Sequence, residues 1–157
     1  MIYARFLFSH LDNALTILKY AFAQLNNGGT ILIEDTDFSG HFCQPPMRAF
    51  DIYIQWYTGL LARRGGDADI GKCLHSLLEQ AGFSQIEMQI SQPAYREGPG
   101  KLMAELTLDA ISAALQKEQI ASAEKILKIH AELSRYRADA DTMMSLPRIF
   151  ELRAVRV

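Results

Sequence analysis

The chain has 157 residues, 49% of them hydrophobic and 22% charged, with a net charge of −2. This length and composition predict a single globular domain over residues 1–157, and the small net charge gives no reason to expect a nucleic-acid or acidic-lipid partner. No apolar run reaches the roughly 18 residues of a membrane span, and two cysteines without a CxxC motif fit a reducing, cytoplasmic location.

The first 26 residues predict a strand and a helix. Ile2 to Ala4 is β-prone, and Asp12 is a plausible N-cap for a helix that runs through Asn26. Its apolar residues are spaced three, four and three positions apart, as one face of a helix requires. Because the sequence opens directly in an apolar, β-prone run, whereas domains usually begin at the surface, we expect the start to be cut into a larger fold.

The next segment predicts the central strand and the main candidate for a functional site. Gly28 or Gly29 can close the helix, and Ile31 to Ile33 has the apolar run of a parallel strand covered on both faces. An acidic loop with Glu34, Asp35 and Asp37 then follows the strand. In open α/β sheets ligands bind at the carboxyl ends of strands, so this acidic cluster indicates a site.

The middle of the chain predicts two helices and a strand. A proline-containing loop leads into a helix from Met47 to Ala62, and a second helix runs from about Ile70 to Ala81, where Gly82 stops it. Gln85 to Gln92 alternates apolar and polar residues, which predicts a strand with one solvated face.

The remainder predicts two more helices and a terminal strand. The helices cover roughly Lys101 to Lys117 and Ser122 to Arg137, and Ile149 to Val157 alternates as a strand does. The predicted fold is α/β, with about four mostly parallel strands and an antiparallel last strand. We interpret residues 47–65 and 101–145 as helical insertions.

Three residues near the acidic strand are candidates for catalysis. Asp35, Asp37 and His41 lie within seven positions, and a carboxylate beside a histidine can accept a proton from a nucleophile. The alternative is that the aspartates only hold their own loop through Asx-turn hydrogen bonds.

Four other residues are candidates for substrate binding. Phe38, Trp56 and Tyr95 could line an apolar pocket, although such residues are more often part of the core. Arg148 could meet an anionic group, or form an ion pair within the fold. No histidines or cysteines have the spacing of a metal site, so no metal is expected.

Four segments in order resemble the C-terminal half of class I S-adenosylmethionine-dependent methyltransferases. Tyr3 to Asp12 looks like the end of the family's fourth strand, and Leu25 to Asp35 looks like the "L-x-P-G-G-x-L-x-x-x-D/E" signature of its fifth strand. Leu74 to Phe83 is similar to the "L-L-x-x-A-G-F" helix, and Ile149 to Val157 fits the antiparallel seventh strand.

The resemblance implies methyl transfer from S-adenosylmethionine to a small-molecule acceptor by in-line displacement. It places Ala4, Arg5 and His10 beside the methionyl end of the cofactor, and it makes the helical insertions a cap over the acceptor. The alternative is that Arg5 pairs with a nearby carboxylate and His10 caps the helix.

The chain departs from this family in one important respect. The glycine-rich G-x-G-x-G loop and the acidic residue that holds the cofactor ribose are both absent. We therefore expect an incomplete enzyme that binds the cofactor weakly or not at all when alone. The exposed edge of the first strand would be covered in a homodimer or by a separate N-terminal half. The alternative functions are a non-catalytic association module and a truncated product without a role of its own.

Overall fold

The computed structural model describes residues 1–157, which divide into two compact units. The first unit contains Met1–Ser39, Arg64–Ser91 and Arg148–Val157, and the second contains Gly40–Arg63 and Gln92–Pro147. Both units are therefore built from segments that are distant in the sequence.

The helices and strands are numbered in chain order. Those of the first unit are β1 (Ile2–Arg5), α1 (Ala14–Gln24), β2 (Thr30–Asp37), α3 (Leu74–Ala81), β4 (Ser84–Ser91) and β7 (Arg148–Val155). Those of the second unit are β3 (Cys43–Gln44), α2 (Arg48–Arg63), β5 (Ala94–Tyr95), α4 (Met103–Lys117), α5 (Ala123–Ala138) and β6 (Met143–Ser145). Short 3-10 helices lie at Phe8–His10, Phe38–Gly40, Ile70–Lys72 and Pro99–Leu102.

The first unit is an α/β structure with a mixed, four-stranded sheet. The strand order is β1-β2-β7-β4. Strand β1 pairs in parallel with β2, whereas β7 lies between β2 and β4 and is antiparallel to both. The last strand of the chain therefore enters the sheet between strands that precede it, so residues from both ends of the sequence meet.

Helices α1 and α3 bury one face of this sheet. Ile31 and Ile33 alternate inward along β2, and Leu152 of β7 lies on the same face opposite Ile33. They pack in one cluster with Leu18 of α1 and Leu78 of α3, both of which are fully buried. Each such aliphatic side chain contributes about 2 kcal/mol through burial.

The opposite face of the sheet is polar, so the expectation that the central strand is covered on both faces was wrong. Leu32 lies in register between Tyr3 and Arg153, and it is only partly buried. On the same face Arg5 forms an ion pair with Glu34. The apolar run misled the prediction because neighbouring strands, distant in sequence, decide what surrounds its second face.

Strand β2 is also longer than the apolar run indicated. It continues to Asp37, because Glu34 to Asp37 pair with residues 148–151 of β7. The acidic residues therefore belong to a strand, and the expected acidic loop was wrong.

The second unit combines three helices with a small sheet that the sequence did not predict. Strands β3, β6 and β5 form this sheet with antiparallel pairing, but β3 and β5 have only two residues each, too few for a visible alternation. Helices α2, α4 and α5 pack together around buried residues such as Phe50, Leu108 and Leu133. No helix of the chain combines the length and the apolarity that a membrane crossing requires.

Helix ends differ in how they are stabilised. Helix α1 begins at Ala14 after Asn13 rather than after the predicted cap Asp12, and no side chain caps it. Helix α5 has a true cap, because the Ser122 hydroxyl accepts a hydrogen bond from the Lys125 amide.

Candidate functional site

The candidate site lies in the first unit, where β1 and β2 end at their carboxyl termini. Asp35 is completely buried there. Its Oδ2 accepts hydrogen bonds from the amides of Phe8 (2.8 Å) and Ser9 (3.2 Å), and its Oδ1 accepts from the Thr36 amide (2.9 Å). Asp35 thus holds the turn after β1 against the end of β2.

A loop at residues 67–69 closes over the same strand ends. The Asp67 amide donates to the Ser9 carbonyl at 2.9 Å, and the carbonyl of Ala68 accepts from the Thr36 hydroxyl at 3.1 Å and from the Phe38 amide at 3.2 Å. The sequence analysis assigned no functional role to this loop. The signal that could have identified it is the compact pattern Gly65-Gly66-Asp67-Ala68-Asp69 with Gly71 behind it.

Two glycines permit this close approach. A Cβ at Gly71 would lie 2.6 Å from the Phe150 ring and 2.9 Å from the Thr36 carbonyl oxygen. Gly65 has φ +81°, and a Cβ there would lie 2.7 Å from the Asp12 Cβ. A larger residue at Gly71 would push its segment away from the strands, and one at Gly65 would collide with Asp12.

Asp37 is the centre of a charged cluster at the end of β2. Its Oδ1 accepts hydrogen bonds from both the amide and the hydroxyl of Ser39 and lies 3.4 Å from Lys72 Nζ. Its Oδ2 lies 2.7 Å from Arg148 Nη2. Lys72 also contacts Asp69 at 3.0 Å. The structure therefore brings the predicted residues Asp37 and Arg148 together, and adds Ser39, Lys72 and Asp69, which the sequence analysis missed.

The electrostatics of this cluster keep Asp37 ionised. Burial by itself would raise the pKa of the Asp37 carboxyl, but hydrogen bonding from Ser39 and the charges of Lys72 and Arg148 outweigh burial, so the pKa is lowered. A carboxylate with a lowered pKa binds cations well and is a weak general base.

The residues predicted to contact a cofactor lie along β1 and the turn after it. Ala4 faces the apolar core and is 8% exposed, so only its backbone is open to a ligand. Arg5 pairs with Glu34 at 3.3 Å and stacks over the ring of Phe6 at 4.9 Å. His10 is exposed at the end of the 3-10 helix.

Phe6 has an unusual backbone conformation at this point. Its φ is +50°, in the left-handed region that bulky residues rarely adopt, and its amide donates to the Glu34 carbonyl at 2.8 Å. Strain of this kind costs roughly 1–3 kcal/mol and tends to occur at functional sites. The conformation places Phe6 and Leu7, both partly exposed, directly beyond the strand end.

His41, the third predicted catalytic residue, belongs to the second unit. Its Nε2 lies 2.8 Å from the Ser145 carbonyl oxygen, and its ring packs edge-on against Phe50 and Tyr53. Burial lowers the pKa of His41 to about 4, although the hydrogen bond to Ser145 opposes the shift. The imidazole is therefore neutral at physiological pH.

The predicted substrate-binding aromatic residues do not share one element. Phe38 is buried in the first unit, directly after β2. Trp56 is buried on α2 in the second unit, with Lys125 Nζ 5.5 Å from its ring, and Tyr95 lies in β5 against Gly100. No three His, Cys, Asp or Glu side chains lie close enough together to hold a metal ion. The predicted roles of all these residues remain predictions.

Comparison with solved structures decides the fold. No protein-family model and no curated protein matches the chain. The chain resembles a crystal structure from Bacillus halodurans C-125 that carries a provisional methyltransferase designation, with a TM-score of 0.56 and 14% identity over 98% of this chain and 68% of that one. The chain has a methyltransferase fold. The general α/β methyltransferase fold that the sequence resemblance implied is thereby confirmed, whereas the truncation remains a prediction.

Two less similar structures are also methyltransferases. Both are phosphoethanolamine N-methyltransferase 2 from Haemonchus contortus, one in complex with phosphomonomethylethanolamine and S-adenosylhomocysteine and the other with S-adenosylmethionine. Their TM-scores are 0.43 and 0.44 at 15% and 16% identity, and each match covers 98% of this chain but 32% of theirs. At this distance they add nothing to the assignment of the methyltransferase fold.

Proposed function

We propose that this chain is the C-terminal portion of an S-adenosylmethionine-dependent methyltransferase that acts on a small molecule. The observation that carries the proposal is the methyltransferase fold, with β7 antiparallel between β2 and β4. Support also comes from the position of the charged cluster around Asp37, because ligands of open α/β sheets bind at the carboxyl ends of the strands.

The residues of this chain fit one flank of an S-adenosylmethionine site. The strained Phe6 and exposed His10 follow β1, where a bound molecule could reach them. The G-x-G-x-G motif does not occur in the 157 residues, so we expect the glycine-rich loop and the ribose-binding carboxylate of the other flank to come from elsewhere. We infer that an N-terminal half, either in the same polypeptide or encoded separately, supplies these groups in a cytoplasmic enzyme.

The proposed role of the acidic residues is to position the reactants. S-adenosylmethionine, when bound, supplies the methyl group. Asp37, with its lowered pKa, and His41, with a pKa of about 4, are weak bases. We therefore expect proton removal by these residues to contribute little to the rate of methyl transfer. Asp35 holds the turn after β1 in place, and alignment of two reactants contributes most of the acceleration in such a displacement.

Cofactor binding tests this proposal. Isothermal titration of the chain alone with S-adenosylmethionine should show weak or no binding. Addition of the N-terminal half that carries the glycine-rich loop should produce binding and methyl transfer to a small acceptor. Micromolar or tighter binding by the chain alone would overturn the inferred incompleteness, and absence of binding by the completed protein would overturn the enzyme assignment.

The edge of the sheet favours a second candidate function, a non-catalytic association module. Strand β1 pairs only with β2, so its outer backbone groups are open to another strand, and Tyr3 beside this edge is 53% exposed. Exposed strand edges promote pairing between chains. A second copy of the chain could cover this edge about a two-fold axis. Light scattering tests the candidate, since a monomer at high concentration would count against it.

A further inference from the structure

The second unit contains a cavity that takes no part in the site described above. Its volume is about 600 Å³, and its walls are residues 96–99 with Leu102 on one side and residues 137–140 on the other. Small-molecule sites in proteins typically have volumes of roughly 300–1,000 Å³. The cavity is therefore large enough for a metabolite-sized ligand.

A buried lysine holds the wall formed by residues 137–140 in place. Lys101 is 1% exposed, and its Nζ donates to the Asp139 carbonyl (2.8 Å), the Thr142 carbonyl (3.1 Å) and the Thr142 hydroxyl (2.7 Å). These bonds use all three ammonium protons, so the wall is pre-formed. All three acceptors are uncharged, so no hydrogen-bonded carboxylate neutralises the lysine.

Two arginines, Arg96 and Arg137, border the cavity. Arg96 donates from Nη2 to the Ala140 carbonyl at 3.3 Å, and Arg137 donates from Nε to Glu105 at 2.6 Å. Each of these bonds uses one donor of a guanidinium that has five. Both residues line the cavity, so we expect their remaining donors to be available to a molecule bound there.

The three cations lie close enough to influence one another. Burial lowers the pKa of the Lys101 ammonium; the neighbouring Asp139 carboxylate opposes this effect, and Arg137 and Arg96 add to it. Glu105 forms an ion pair with Arg137, so the repulsion that an anion in the cavity would relieve is chiefly that between Arg96 and Lys101. The two acids that border the cavity, Glu97 and Asp139, disfavour ligands with several negative charges.

We propose that this cavity binds a small organic anion through one carboxylate or phosphate group, held by the guanidiniums of Arg96 and Arg137. Guanidinium groups match the geometry of both oxyanions and form strong, charge-assisted hydrogen bonds with them. Pro99 and Leu102 offer apolar surface to the body of the ligand. The proposal is independent of methyl transfer, because it uses only contacts within the second unit.

Titration of the 157-residue chain with inorganic phosphate and, separately, with propionate, which has a single carboxylate, tests this site. At constant ionic strength, ¹H–¹⁵N spectra should show saturable shifts concentrated in the amides of residues 96–102 and 137–142. Arg96→Gln should weaken binding about tenfold, the typical effect of losing a charge-assisted contact. Arg96 is exposed, so this variant should fold normally.

Arg135→Gln is the matched control. Arg135 is an exposed arginine on the same helix as Arg137 but outside the cavity, so binding should not change. Saturation by either probe supports the site and identifies the preferred oxyanion. Shifts that grow linearly with both salts, unchanged affinity in Arg96→Gln, or equal weakening in Arg135→Gln would each overturn the proposal.

Discussion

Asp35 shows how one side chain can organise the end of a strand. Its two carboxylate oxygens accept three backbone amides, from Phe8, Ser9 and Thr36, in a fully buried position. Loss of one acceptor would leave buried amides without partners, and hydrogen bonds to charged groups contribute roughly 1.5–3 kcal/mol each. The turn after β1 therefore depends on this carboxylate, independently of the catalytic role predicted for Asp35.

We expect Asp35→Asn to lower the free energy of unfolding by about 3 kcal/mol, because an amide group would face backbone donors. Urea unfolding measures the change. Asp12→Asn, at an exposed aspartate of the same unit, is the control and should change stability by less than about 0.5 kcal/mol. An unfolding free energy that hardly changes in Asp35→Asn would contradict the proposed role of Asp35 in holding the turn after β1.

His41 makes a distinct prediction about pH. Its folded-state pKa of about 4 lies below the ordinary value of 6.5, so the unfolded chain takes up a proton first as the pH falls. Stability should therefore decrease from about pH 6.5 to pH 4, by up to about 3 kcal/mol from this residue. Trp56, the only tryptophan and a buried residue of the same unit, reports the unfolding by fluorescence.

His41→Gln removes the titration and should flatten this part of the pH profile relative to the wild type. Carboxylates titrate in both proteins, so the difference between the two profiles isolates the histidine. Identical profiles between pH 4 and 6.5 would show that His41 is not buried in a neutral form.

At the scale of elements, close approach between segments depends on glycine. The 3-10 helix at Ile70–Lys72 packs so tightly on β2 and β7 that a Cβ at Gly71 would lie 2.6 Å from the Phe150 ring. Gly59 on α2 has no atom within 4 Å of such a Cβ. The two glycines therefore have opposite physical roles: Gly71 permits a close contact, whereas Gly59 leaves space that a methyl group could fill.

We expect Gly71→Ala to destabilise the protein by about 2 kcal/mol through overpacking, and Gly59→Ala to stabilise it by roughly 0.5–1 kcal/mol through helix propensity. Thermal unfolding of both variants measures the two effects, with the midpoint falling in the first and rising in the second. A stabilising Gly71→Ala would mean that this segment does not pack on the sheet.

At the scale of the whole molecule, β1 is an edge strand of its sheet and therefore a candidate surface for association between chains. Tyr3→Lys should reduce any concentration-dependent association, because lysine on an edge strand disfavours pairing. The variant should still fold, since lysine can replace the contact of the Tyr3 hydroxyl with Glu34 by an ion pair. Analytical ultracentrifugation of both proteins measures the effect. An association constant that does not change would mean that β1 is not the interface.

The sequence by itself determined the α/β class, the helices and the last strand. The spacing of apolar residues sets these elements locally: the predicted helix from Met47 to Ala62 corresponds to α2, Arg48–Arg63, and the predicted strand from Ile149 corresponds to β7, Arg148–Val155. The resemblance of four ordered segments was sufficient to anticipate the methyltransferase fold, because motif order reflects the order of strands and helices.

Only the tertiary structure decided which side chains meet. Asp37 contacts Arg148, 111 positions away, because β7 enters the sheet beside β2. It also contacts Lys72, because the 3-10 helix at Ile70–Lys72 packs on both strands. The polar second face of the sheet and the cations around the cavity of the second unit were hidden for the same reason. The spacing of apolar residues indicates which side chains of a segment are buried and which are exposed. Contacts between strands depend on their register, which no local sequence pattern contains.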